Sequence, residues 1–361
     1  MKTTSLCIYR FAALAVMAVG AVLAPGGARA LPLEHYASES KLAAGHWVKV
    51  SVEESSMQLL TEANLRRWGF SDPSQVKVYG YGGDRLPELL TDNYIDDLPQ
   101  VPSVYIQGKG VVFYGRGVAD TQTTVGAYRQ PAINPFTLKG YYFVSDAADS
   151  ERRAPGATGT PGAGEPVTTF SSDVYHKLEL SSPGQCGHLL VGEDFRYTPR
   201  QEFTVDLPGL VATEPVYFEG SFVASSPTAS YVYYSIDGQD VGEGGYRVAA
   251  NTDSHTHGVE SVARVPLSLG KESFRFGIRY PAVASVSLAN LNYVNFTYTR
   301  RLEAAQTGVK PFRVNAPQGG VSLGSTRDNA HVWDVTDPLA PASGQTARSG
   351  QSLSWTADYA T

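Results

Sequence analysis

The chain has 361 residues, with 29 Lys and Arg against 35 Asp and Glu, a formal net charge of −6 at pH 7. No basic residues cluster along it, which excludes an electrostatic footprint for nucleic acid. With 36 Gly, 21 Tyr, 14 Phe and 18% charged residues, the composition suits a β-rich exported protein of two domains with enough apolar mass for real cores.

Residues 1–30 read as an export signal, with Lys2 and Arg10 before an apolar core from Phe11 to Leu23 and a small-x-small site, Ala28-Arg29-Ala30, before Leu31. The apolar run is short for a membrane span, and no second stretch of spanning length follows. Cleavage removes three basic residues and no acid, leaving 26 basic against 35 acidic residues, a formal −9. Cys7 leaves with the signal, so Cys186 is then the only thiol and no intrachain disulfide forms.

Residues 31–149 read as an N-terminal β-rich domain. Residues 48–52 alternate apolar and polar, the period of a half-buried strand. Thr61 caps a short helix over 62–68 that Gly69 stops. Val76-Lys77-Val78-Tyr79 enters a glycine turn, Gly80 to Gly83, and an acidic loop from Asp92 to Asp97 follows. Residues 104–106 and 111–114 flank a hairpin turn at 107–110, and a strand at 141–144 closes the domain.

The Pro/Gly-rich segment 150–166 reads as a flexible linker or long exposed loop. From Val167 onward short strands succeed one another. Tyr231 to Ile236 runs into Asp237-Gly238, a strong hairpin signal. Phe274, Phe276, Ile278 and Tyr280 share one face opposite Arg275 and Arg279; Val294, Phe296 and Tyr298 do so opposite Asn295 and Thr297. The expected fold is all-β, with an antiparallel β-sandwich over 167–302. Residues 303–361 read as an incomplete approach to a further domain, in which Trp333 and Val335 share a core-facing side and Ser352 to Trp355 forms a strand.

Three groups carry potential chemistry. Cys186 and His188 pair a nucleophile with a base, although residues two apart on a strand need not converge, and a structural cysteine is the preferred reading. His255 and His257 offer two metal ligands but lie in a polar loop without an assignable third. Asp92, Asp96 and Asp97 offer oxygen ligands for calcium without a recognisable spacing, and a solvated acidic turn is preferred. The glycine turn is no phosphate cradle, since no Lys-Ser/Thr follows it. Aromatics at alternate strand positions fit a core better than a sugar platform. The residues alone therefore identify no catalytic group, metal site or cofactor.

Ordered motifs go further. Leu60 to Phe70, then Asp72-Pro73-Ser74, Val76 to Gly83 and Leu86-Pro87-Glu88 resemble the N-terminal region of the PorU-type sortases of the type IX secretion system. These are gingipain-type cysteine peptidases of Bacteroidetes. Phe113-Tyr114-Gly115, Asn134-Pro135-Phe136 and Tyr141-Tyr142-Phe143 are similar to the next segment of that family. Gly192 to Phe195 with Phe203 to Leu210, Leu291 to Phe296, and Val332 to Pro338 continue the series to the approach to its catalytic domain. The resemblance implies an exported chain, passing from periplasm to the outer-membrane cell surface. In the family the enzyme removes C-terminal sorting domains from secreted cargo and attaches the cargo to the surface. Its catalytic Cys and His lie in a downstream α/β domain, so no catalytic residue transfers to this chain. The expected role is a non-catalytic scaffold that docks to an outer-membrane partner and meets cargo only through that further domain. The alternative is a stand-alone surface adhesin or carbohydrate-binding β-sandwich.

Overall fold

The computed structural model describes residues 37–85, 96–147, 150–162, 166–185, 189–253, 255–284, 287–304, 311–314 and 320–356. The expected export signal lies outside them. The chain divides into two compact units, residues 1–43 with 86–97, and residues 44–85 with 98–361. The described part of the first is a single turn of 3-10 helix, Lys41–Ala43, with its immediate neighbours and Asp96-Asp97. The elements below all belong to the second.

Its first module contains β1 (Val48–Val52), β2 (Ser56–Thr61), α1 (Glu62–Arg67), β3 (Lys77–Gly82), β4 (Gln100–Val101), β5 (Ser103–Ile106), β6 (Gly110–Gly115), β7 (Ala119–Val125), β8 (Tyr128–Ile133) and β9 (Gly140–Ser145). One antiparallel sheet has the order β1-β9-β3-β4, a second β2-β6-β5, and β7–β8 is a separate hairpin. Val52, Leu60, Leu65, Val78, Phe113 and Tyr142 anchor the core of this module. The helix starts where its sequence says, because the Thr61 hydroxyl accepts the Asn64 N–H at 3.2 Å. In the predicted hairpin turn Gly110 has φ +135°, and a Cβ there would collide with the Leu60 carbonyl.

Within residues 150–162 the structure differs from the expected linker or loop. Gly156–Thr158 (β10) and Thr160–Pro161 (β11) are strands, each at the edge of a C-terminal sheet described below. An edge strand uses the hydrogen-bonding groups of one side only, so it accommodates glycine and a proline without an N–H.

The second module contains β12 (Thr169–His176), β13 (Arg200–Asp206), β14 (Val216–Ser225), β15 (Ser230–Ile236), β16 (Gln239–Asp240), β17 (Tyr246–Val248), β18 (Val259–Leu267), β19 (Ser273–Arg279) and β20 (Leu288–Arg301). They form antiparallel sheets of order β12-β20-β14-β18 and β13-β19-β15-β16, with β17 also paired to β15. The alternating apolar residues of both sheets meet in one core, in which Phe218 packs on Tyr234, Phe276 and Phe296 with ring centroids 5.0–5.3 Å apart. Asp237 and Gly238 both have positive φ, +50° and +83°, and turn β15 into β16 as their identities predict. The all-β expectation holds.

The third module adds β21 (Gly320–Leu323), β22 (Trp333–Asp334), β23 (Ala342–Gly344), β24 (Ala347–Ser349) and β25 (Ser352–Thr356). Its sheets have the orders β10-β23-β22 and β11-β25-β21, with β24 also paired to β25. Leu302, Val321, Leu323 and Trp355 form its core. The buried tryptophan is thus Trp355, and from the 332–338 motif it is Val332 that packs against that core. Trp333 is only half-buried and lies opposite Ser343 at the start of β22.

Candidate functional site

The β7–β8 hairpin leaves the first module and lies over the outer face of the β12-β20-β14-β18 sheet. Alternation on β14 sends Phe218 into the sandwich and Tyr217, Glu219 and Ser221 outward; on β20 it sends Tyr293, Asn295 and Thr297 outward. These outward residues would be solvated on a bare sheet, yet Glu219, Asn295 and Thr297 are 0%, 0% and 2% exposed. Burial obliges each to find polar partners.

The hairpin and its neighbouring strands supply them, apart from the Asn295 amide oxygen, which has no partner among the described residues. Tyr128 meets Tyr217 edge-on, with ring centroids 5.3 Å apart. The Arg129 guanidinium pairs with Asp173 of β12 at 2.8 Å, and the Arg129 carbonyl accepts the Asn295 amide at 2.9 Å. Asp173 also accepts the Thr297 hydroxyl at 2.8 Å. Deeper on the same face, Glu219 accepts Arg264 Nε and the Tyr293 hydroxyl, both at 2.6 Å. Burial, then the bond to Glu219, pushes the Tyr293 phenol far above its ordinary range, so it stays a donor. Farther along, Ser221 donates to Glu260 at 2.5 Å, and Lys177 donates to Asn292 at 2.9 Å and to the Leu190 carbonyl at 3.1 Å. Burial lowers the pKa of Lys177, with Glu179 opposing the shift.

At the root of the hairpin lies a polar cleft of about 100 Å³, lined among others by Gly83, Asp84, Arg116, Asp120 and Asn134. Arg116 pairs with Asp84 at 2.7 Å, and Asp120 with Arg313 of the third module at 2.9 Å. Buried Asn134 donates to the Gly83 carbonyl at 3.0 Å, while its oxygen accepts the Phe136 N–H at 3.0 Å. The glycine turn, the hairpin root and the following loop are thereby fixed together. This arrangement is a clamp joining three modules, and its chemistry is hydrogen bonding and ion pairing.

We predict that Asp173→Ala, which strands the largely buried Arg129 guanidinium, costs about 2 kcal/mol. Limited proteolysis should then cut the hairpin before the sandwich. A hairpin as resistant as in the parent chain would show that this pair does not hold it.

The candidates from sequence fall elsewhere. Cys186, His188 and Asp92 lie outside the described residues. Asp96 pairs with Lys41 at 2.7 Å, and Asp97 accepts the Lys41 N–H at 2.7 Å and the Ser40 hydroxyl at 2.9 Å. Those carboxylates therefore serve neighbouring protein donors. His255 and His257 are exposed in a loop, where the His255 N–H bonds Asp253 at 2.9 Å and the His257 ring abuts Gly184. Among the described residues no three His, Cys, Asp or Glu side chains converge to hold a metal. No helix among them is long and apolar enough to cross a membrane. The clamp residues Arg129, Asp173 and Glu219 carry no local signature, because strand alternation marks them as solvent-facing.

No family model matches the sequence, and no curated protein matches it. Among solved structures, the chain is similar to dimeric latent PorU from Porphyromonas gingivalis, with a TM-score of 0.75 and 24% identity over 88% of this chain and 31% of that chain. Structures of BuGH86 with neoagarooctaose (8% identity, 73% of this chain, 32% of that chain) and of an uncharacterized Listeria monocytogenes protein with glucose, magnesium and calcium (11% identity, 70% and 18%) match with TM-scores of only 0.22. The first likeness shows a fold resembling a region of PorU. This chain spans about a third of the length of that protein.

Proposed function

We propose that this chain is the exported, non-catalytic β-rich part of a type IX secretion sortase-like cysteine peptidase. The observation that carries the reading is the likeness to PorU across 88% of this chain, obtained from the fold and in agreement with the ordered sequence motifs. The clamp supports it mechanically, since two β modules tied by largely buried polar contacts, and a third joined through the exposed Asp120–Arg313 pair, make a stiff platform. Such a platform would hold a Cys/His peptidase domain and dock it to an outer-membrane partner, with the cargo's sorting domain reaching the peptidase. Cys186 has no part in that chemistry.

Deletion of the gene in its native bacterium is the test. Secreted cargo should then keep its C-terminal sorting domain and be released from the surface. Normal cargo processing after deletion would overturn the reading and favour the surface adhesin or carbohydrate-binding sandwich. In the purified chain, Cys186→Ala should leave any peptide hydrolysis at the parent's background; loss of a real activity would make Cys186 a nucleophile.

A further inference from the structure

The outer face of the other sandwich sheet carries a group of arginines that its sequence does not reveal. Arg200 on β13 and Arg279 on β19 are directly opposite each other across an antiparallel pair. Arg279 also faces Tyr233 on β15, and its guanidinium lies 4.0 Å from the centre of that ring. One row farther on, Tyr231 of β15 is opposite Arg247 of β17. The loop into β13 reaches the same end of the sheet, because the Tyr280 N–H bonds the Pro199 carbonyl at 2.9 Å. It adds Tyr197, which is 80% exposed.

Two features mark this strip as unfinished. Like charges directly opposite on adjacent strands destabilise a sheet. Yet among the described residues no carboxylate pairs with Arg200, Arg279 or Arg247, whereas Arg275 on the same face is neutralised by Glu202. The chain as a whole is acidic, so the strip opposes the net charge.

We infer that the strip binds an acidic polypeptide segment in extended conformation. A carboxylate between Arg200 and Arg279 converts a repulsive pair into a charge-assisted fork. Arg247 lies beyond β15 from β19, roughly two strand spacings of 4.8 Å from Arg279. With the two-residue offset along the strands added, the separation is about 12 Å, within reach of acids four residues apart, which share one face of an extended chain at ~3.4 Å per residue. The tyrosine rings between them offer flat surface for the intervening residues. A peptide is favoured over other polyanions because the exposed rings of Tyr197 and Tyr231 offer apolar surface to the residues between its acids.

The test is calorimetric titration of the full chain with hexaglutamate, beside hexalysine and a neutral Gly-Ser hexapeptide, at low and at physiological ionic strength. Hexaglutamate alone should bind, more weakly as salt rises. Arg200→Ala and Arg279→Ala should each weaken it about tenfold, the worth of one charge-assisted contact. Without peptide, Arg200→Ala should melt no lower than the parent, since it relieves a like-charge pair on an edge strand. Equal binding of the neutral peptide, or unchanged affinity in both variants, would overturn the inference. So would heparin binding that needs these arginines while hexaglutamate does not bind.

Discussion

Phe276→Ala is expected to cost about 3–5 kcal/mol, the usual loss when a fully buried aromatic is truncated. Phe276 is 0% exposed and sits where the two sheets of the sandwich meet. Its ring centroid is 5.6 Å from Phe203, 5.3 Å from Phe218, 5.9 Å from Tyr234 and 5.2 Å from Phe296. These neighbours come from four strands, so no one of them can collapse into the vacated space without disturbing the rest. Urea unfolding followed by circular dichroism measures the loss, and Phe276→Leu should recover more than half of it. A change below about 1 kcal/mol for the alanine variant would mean that the cluster repacks freely.

Arg264→Ala should be nearly as damaging although the removed side chain is one-third exposed. The damage falls on its partner. Glu219 is wholly buried, and without Arg264 the Tyr293 hydroxyl would be the single partner left to its carboxylate among the described residues. Stranding a buried charge costs about 3–5 kcal/mol, more than the intact pair contributes, because forming the pair already had to offset its own desolvation. Adding Glu219→Gln to Arg264→Ala should therefore restore much of the stability. If the double variant is less stable than Arg264→Ala alone, the stranded charge is not the cause.

The comparison of sequence with structure separates two kinds of information. Asp237-Gly238 specifies its hairpin because both residues tolerate positive φ, and Thr61 specifies a helix start through its hydroxyl. Alternation in residues 274–280 and 294–298 likewise marks which side faces the core. These signals are local. The clamp is not legible, since Asn295 and Thr297 read as a solvent face until a hairpin more than 160 residues earlier covers them, as the 166-residue separation of the Asn295–Arg129 bond shows. The same holds for the arginine strip, whose members come from three strands scattered between residues 200 and 279. Residues 150–162 misled for another reason: composition reports that a segment buries little, and an exposed edge strand buries little too.

Those two edge strands also bear on how the molecule assembles. β11 closes its sheet through contacts such as the bond from the Thr356 hydroxyl to the Gly162 carbonyl, between residues 194 apart in sequence. Closing so long a loop adds little to the equilibrium cost, because that cost grows only with the logarithm of loop length. Its effect on rate is larger, since distant pairings are the slow ones. A chain emerging from its N-terminus has both halves of the sandwich available before β23 and β25 exist. The first two modules can then fold in order, while the stretch between them waits with its backbone unpaired. Completion of the third module becomes the closing step of folding, and until then β10 and β11 are the segments most open to proteases and to strand pairing with the wrong chain.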